Sequence, residues 1–125
     1  MKVLMINGSP DGKGCIHTAL TLAAEVLNAE GIKTEEIFVG NKDIRGCIGC
    51  RRCKQTGKCV FNDLVNETSP KLAEADGIIV GTPVYYGNPN GTVLSFMQRL
   101  FYSCGCDLHM KVGASVAVCR RGGAS

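Results

Sequence analysis

The chain has 125 residues, 45% of them hydrophobic, and a net charge of +3 at neutral pH. That length fits one domain with a real core, and the hydrophobic content is ordinary for a globular protein. Lysine and arginine are scattered apart from Arg51-Arg52 and Arg120-Arg121, which leaves no electrostatic footprint for nucleic acid, and no apolar run approaches a membrane span.

The N-terminus enters a strand after a single lysine. It lacks a signal peptide's charged and apolar regions, so the expected location is the cytoplasm. Residues 2–7 read as a buried strand, and the loop Gly8 to Thr18 follows. Residues 15–30 carry an amphipathic helical pattern stopped by Gly31. Ile32 to Val39 is a second strand. A polar segment from 40 to 60, holding Cys47, Cys50, Cys53 and Cys59, separates it from a helical stretch, Asp63 to Ala75. Pro70 lies inside that stretch behind Ser69, which leaves one kinked helix or two short ones.

Gly77 to Thr82 is a short apolar strand of the kind buried on both faces of a parallel sheet. A turn-rich loop, Pro83 to Gly91, comes next. Asn88-Pro89 offers an N-cap and a first-turn proline for a helix whose buried face is Val93, Phe96, Met97, Leu100, Phe101 and Cys104. Gly105 ends that helix. Val112 to Cys119 is a fourth strand, followed by Arg120-Arg121-Gly122-Gly123.

This order, β-α-β-(Cys segment)-α-β-α-β, calls for an α/β fold. The expected form is an open parallel sheet in the order 2-1-3-4, with right-handed crossovers and helices on both faces. Three loops, 8–18, 83–91 and 119–125, then fall at the carboxyl ends of strands, where such sheets bind ligands. No helix follows the fourth strand. The expectation is a chain that ends before its domain does.

The first loop joins a strand to a helix through glycines, an arrangement that suits an anion. It is not a Walker A loop, because three residues separate Gly8 from Gly12-Lys13 and Gly14 follows the lysine. It is not a dinucleotide fingerprint either: the glycines are misplaced, and Phe38-Val39-Gly40 offers no acid at the second strand's end. A mononucleotide phosphate remains. In the second loop, Tyr85 or Tyr86 can lie against a flat ring, or simply pack. In the third, an arginine and free amides can meet a heterocycle or a phosphate, or form a solvated turn.

Cys47-x2-Cys50-x2-Cys53-x5-Cys59 has the compact spacing of a [4Fe–4S] ligand loop, although the last gap departs from the ferredoxin one. Four free thiols and a zinc site are the alternatives, zinc fitting less well because its knuckles are usually separate. Cys15, Cys104, Cys106 and Cys119 read as ordinary small core or loop residues.

Taken together, Met1 to Thr18, Cys47 to Cys59, Gly81-Thr82-Pro83-Val84-Tyr85-Tyr86 and Arg120-Arg121-Gly122-Gly123 resemble the NADPH-dependent FMN reductase group of flavodoxin-like proteins. The Cys segment resembles that of its iron–sulfur flavoprotein branch. The resemblance implies one flavodoxin-like FMN-binding domain over 1–125, lacking a fifth strand and last helix. It implies that Ser9, Pro10, Gly14, Cys15, Ile16 and Thr18 take the FMN phosphate. Pro83, Val84, Tyr85, Tyr86, Gly87 and Asn88 would follow the ring and ribityl chain, and Arg120, Arg121, Gly122 and Gly123 the other ring edge. Cys47, Cys50, Cys53 and Cys59 would be cluster ligands. It further implies a homodimer or homotetramer. Asp11 stands where the family often has a basic residue, and His17 where it often has a small polar or aromatic one.

The expected function is an FMN-dependent oxidoreductase passing electrons from NAD(P)H to a flavin, quinone or other acceptor. The cofactor does that chemistry, so no catalytic acid or base is assigned. The alternatives are an electron carrier working with ferredoxin-like proteins and a non-enzymatic Cys-rich metal-binding or interaction domain.

Overall fold

The computed structural model describes residues 1–123; the last two residues of the third loop, Ala124 and Ser125, lie outside it. The central strand is β1 (Lys2–Asn7), which leads through the first loop into α1 (Cys15–Ala29). Gly31, at φ 78°, turns the chain after α1 into β2 (Lys33–Phe38), which lies parallel to β1 with Leu4 opposite Glu35. The Cys segment contains a single helical turn, α2 (Cys53–Thr56), ended by Gly57 at φ 74°.

A single helix, α3 (Leu64–Glu74), follows, with the Asp63 carboxylate accepting the Val65 N–H at 3.1 Å as its N-cap. Pro70 sits within it, and Ser69 does not begin a second helix. Next, β3 (Gly77–Tyr85) pairs parallel with the other edge of β1.

Here the structure departs from the sequence reading. Tyr86 and Gly87 both have positive φ, 55° and 77°. That is the form of a two-residue hairpin turn. β3 therefore runs on to Tyr85 and returns as a short antiparallel strand, β4 (Asn88–Pro89), with Tyr85 opposite Asn88. Asn88 is thus not a helix cap. Asn90 caps α4 (Gly91–Ser103) instead, its Oδ1 accepting the Thr92 N–H at 3.1 Å.

The last strand, β5 (Val112–Val118), pairs parallel with β3 from Gly77–Val112 to Pro83–Val118. The main sheet order is β2-β1-β3-β5, which is the expected 2-1-3-4 arrangement with β5 as its fourth long strand. Alternation along β1 sends side chains to opposite faces. Leu4 and Ile6 join Val65, Leu72, Phe96 and Leu100 under α3 and α4, while Met5 packs with Ile16 and Leu20 under α1. Among the described residues β5 pairs with β3 alone, and Val112 on it is 68% exposed. Among the described residues no helix is long and apolar enough to cross a membrane.

The face of α4 also differs from expectation. Phe101 points outward, and Arg99 and Ser103 are buried in its place.

Candidate functional site

A buried side chain anchors the start of the first loop. Asn7 ends β1 fully buried; its Oδ1 accepts the Ser9 N–H at 3.0 Å and its Nδ2 donates to Glu36 at 2.8 Å. His17, in the first turn of α1, approaches the same Glu36 carboxylate through Nδ1 at 3.0 Å. Ser9 Oγ accepts the Asp11 N–H, the Asp11 carboxylate accepts the Lys13 N–H, and the Asp11 carbonyl accepts the Gly14 N–H at 3.3 Å, so these loop amides are already used.

No side chain caps α1 at Gly14. The first amides of that helix are open, and Lys13, Gly14, Cys15 and Thr18 line a wide surface depression over them. Ser9 is buried, Pro10 exposed, and Ile16 is core, so of Ile16 only the backbone can meet a ligand. The Asp11 carboxylate lies beside this opening: a Cβ placed on Gly14 would be 3.2 Å from its Oδ2.

Close backbone approaches tie the first loop to its neighbours. The Gly8 N–H donates to the Gly81 carbonyl at 2.8 Å, and a Cβ on Gly8 would stand 2.7 Å from that oxygen. A Cβ on Gly40, where the Cys segment begins, would lie 2.0 Å from the Ser9 carbonyl. Neither position has room for a side chain.

The second and third loops meet each other. Thr82, Val84, Gly87, Asn88, Pro89, Ala117 and Gly123 line a depression of about 90 Å³. Gly123, at φ 89°, comes so near the hairpin that an added Cβ would be 3.7 Å from both Gly87 and Val84. Pro83 is half-buried, while Tyr85, Arg120, Arg121 and Gly122 are exposed. Tyr86 is fully exposed and holds a positive φ that bulky residues avoid, a local cost that the hairpin imposes. This depression shares no lining residue with the one over α1.

The four cysteines of the Cys segment line a separate recess, together with Phe61, Arg99, Tyr102 and Ser103. Cys47 and Cys50 are exposed, Cys53 and Cys59 half-buried. Arg99 is the organising side chain. It is 1% exposed, pairs with Asp63 through two bonds of 2.7 and 3.0 Å, and donates from Nε and Nη2 to Cys59 Sγ at 3.4 and 3.2 Å. Burial works to lower its pKa, but the hydrogen bonds and charges of Asp63 and Cys59 outweigh burial and hold it above the ordinary value.

Among the described residues no three His, Cys, Asp or Glu side chains stand within reach of one metal ion. A tetrahedral zinc ion needs thiolates about 4 Å apart. A four-iron cube takes its thiolates at separate corners, farther apart. The donor set round the recess, four thiols with N–H groups aimed at Cys59, fits such a cluster in kind.

Sequence reasoning missed Asn7, Glu36, Asn90, Asp63 and Arg99. The signals were a polar residue closing an apolar strand and an arginine inside an apolar helical face. Cys104 and Cys106, read as ordinary residues, are joined by a disulfide.

The family model described as NADPH-dependent FMN reductase matches residues 1–125. An iron–sulfur flavoprotein of Methanocaldococcus jannaschii is 46% identical over 122 residues, covering 94% of this chain and 62% of the relative. One of Methanosarcina thermophila is 35% identical over 121 residues, covering 94% and 63%. The chain thus spans about three-fifths of the length of these relatives. Among solved structures, an apo NADH:FMN oxidoreductase has a TM-score of 0.70 at 22% identity, covering 98% of this chain and 60% of that one. RosB with a bound flavin-derived intermediate has a TM-score of 0.75 at 16% identity, covering 98% and 54%. These structures share the flavodoxin-like fold; the match along its whole length places this chain in the NADPH-dependent FMN reductase family.

Proposed function

We propose that the chain is the flavin-binding part of an FMN-dependent oxidoreductase that takes electrons from NAD(P)H and passes them to a flavin, quinone or other small acceptor. The observation that carries this reading is the set of loops after β1, β3 and β5, all at the carboxyl ends of parallel strands, with Gly8 bonded to Gly81 and Gly123 against Gly87. FMN, when bound, supplies the capacity to accept a hydride and release electrons.

The chain's own residues bind and orient it. The Gly14, Cys15 and Ile16 backbone and the Ser9 and Thr18 hydroxyls face the phosphate, with Pro10 shaping the turn. Pro83 to Asn88 carry the ring and ribityl chain, Tyr85 and Tyr86 offering aromatic faces. Arg120 to Gly123 close the opposite ring edge, where positive charge and amides favour electron density on the ring.

The test is anaerobic purification followed by a visible spectrum and NADPH addition. A flavin spectrum bleached rapidly by NADPH supports the reading. Protein that neither carries flavin nor takes up added FMN, on this chain and on one extended to the relatives' length, overturns it.

A second reading has its own observation, the convergence of Cys47, Cys50, Cys53 and Cys59 on one recess. In it the four thiolates hold a [4Fe–4S] cluster, and flavin and cluster exchange electrons with a ferredoxin-like protein. Bleaching by reduced ferredoxin but not by NADPH, with four irons per chain, would favour this carrier. Assembly as a homodimer or homotetramer belongs to either reading and is checked by sedimentation.

A further inference from the structure

Cys104 and Cys106 are bonded across a sequence separation of 2. A cross-link enclosing so short a loop removes little freedom from the unfolded chain, so it adds less stability than a long-range one. Its location points to chemistry instead. Cys104 caps the C-terminus of α4, and Gly105, at φ 62°, turns the chain so that Cys106 folds back. Both sulfurs belong to half-buried residues packed against the core.

Cys104 also forms one wall of a surface depression of about 340 Å³, with Gly57, Lys58, Asn66, Pro70 and Ala73 among the others. Cys106 is not part of that wall. Cys104 is half-buried on this wall, and the exposed Lys58 beside it offers a positive charge. A thiolate is the attacking form in disulfide exchange, and an anionic one is drawn to such a charge.

We propose that the Cys104–Cys106 disulfide is a redox-active site that exchanges with a low-molecular-weight thiol of the glutathione type, seated in this depression. The thiolate attacks Cys104 Sγ, forming a mixed disulfide, and the Cys104–Cys106 bond breaks with Cys106 leaving as thiolate. A second thiol molecule attacks the mixed disulfide and releases the small-molecule disulfide. Two thiols are oxidised, the protein pair gains two electrons, and the two thiol protons end on Cys104 and Cys106. The reverse reaction re-forms the bond. The exchange needs neither flavin nor iron, so it stands apart from the reading above.

The test equilibrates the full chain anaerobically in buffers of graded reduced and oxidised glutathione, quenches with acid, alkylates and digests with trypsin. Cleavage after Arg99 and Lys111 releases one peptide with Cys104, Cys106 and no other cysteine. The oxidised fraction is expected to follow a single two-electron transition with its midpoint within about 100-fold of the glutathione couple. Cys106→Ser is expected to trap glutathione on Cys104 about tenfold more than Cys104→Ser traps it on Cys106. A peptide that stays fully oxidised or fully reduced across the whole range overturns the proposal, as does equal trapping in the two variants. If either variant does not fold, the wild-type titration decides alone.

Discussion

Asn90 Nδ2 donates to the Gly8 carbonyl at 2.7 Å, while the same side chain's Oδ1 accepts the Thr92 N–H at 3.1 Å. One carboxamide thus caps α4 and holds the first loop, and its backbone N–H completes the set by bonding Thr82 Oγ1 at 3.0 Å. Asn90→Ala removes a cap and leaves a buried carbonyl without its partner. The expected loss is about 2–3 kcal/mol, read as a lower urea midpoint at unchanged slope. Asn90→Asp keeps the cap but turns a carboxylate toward the Gly8 and Gly40 carbonyls, and is expected to cost more than the alanine.

Asp11 places a carboxylate beside the open amides of α1. An anion bound there is repelled by it. Asp11→Asn keeps the acceptor for the Lys13 N–H and removes the charge. Under the flavin reading, FMN affinity is expected to rise about 3- to 10-fold at low salt and less at high salt. Fluorescence titration checks this; an affinity unchanged at every ionic strength would place the phosphate elsewhere.

Arg99 and Asp63 form a charge pair with one partner fully buried. Arg99→Met strands the Asp63 carboxylate and the Phe61 carbonyl that Arg99 also serves at 3.0 Å. The expected destabilisation is about 3–5 kcal/mol. Adding Asp63→Asn recovers part of that, since asparagine still caps α3. Denaturant unfolding of the single and double variants measures the difference.

Glu35 receives Lys71 at 2.5 Å and Lys2 at 3.1 Å. The hydrogen bond from Lys71, then that from Lys2, holds its carboxyl below the ordinary value of 4.5 against the opposing effect of burial. A carboxylate with a depressed folded pKa contributes stability above its unfolded pKa and loses it as pH falls through the folded one. These groups are part-exposed, so the pairs together are worth about 0.5–1 kcal/mol. Glu35→Gln is expected to cost that much at neutral pH and almost nothing once the pH has fallen through the lowered folded pKa, where both proteins carry a neutral side chain. Thermal unfolding across pH shows whether the two curves converge.

The parallel sheet was legible because its signals are local: apolar runs for β1 and β3, a glycine stop after α1, and helical spacing in α4. The hairpin at Tyr86-Gly87 was not. A tyrosine at positive φ contradicts its own propensity, and Asn88-Pro89 carries the signature of a helix start. Tertiary pairing with β3 overrode both. The three loops could be located after their strands from the order of elements, and the four cysteines grouped from their spacing. The residues that hold them could not, because the work of Asn7, Asn90 and Arg99 depends on partners dozens of residues away. Phe101 illustrates the same limit, since a helical stripe does not tell which edge residue yields its place to a buried arginine.

Gly40 has one further consequence. It lies on the Ser9 backbone with no space for a side chain, and it begins the segment that carries the four cysteines. The first loop and the start of the Cys segment therefore touch backbone to backbone at this glycine. Where a ligand in one shifts that contact, linkage requires the effect to be reciprocal: whatever factor loading the recess adds to affinity at the loop, loading the loop must return to the recess.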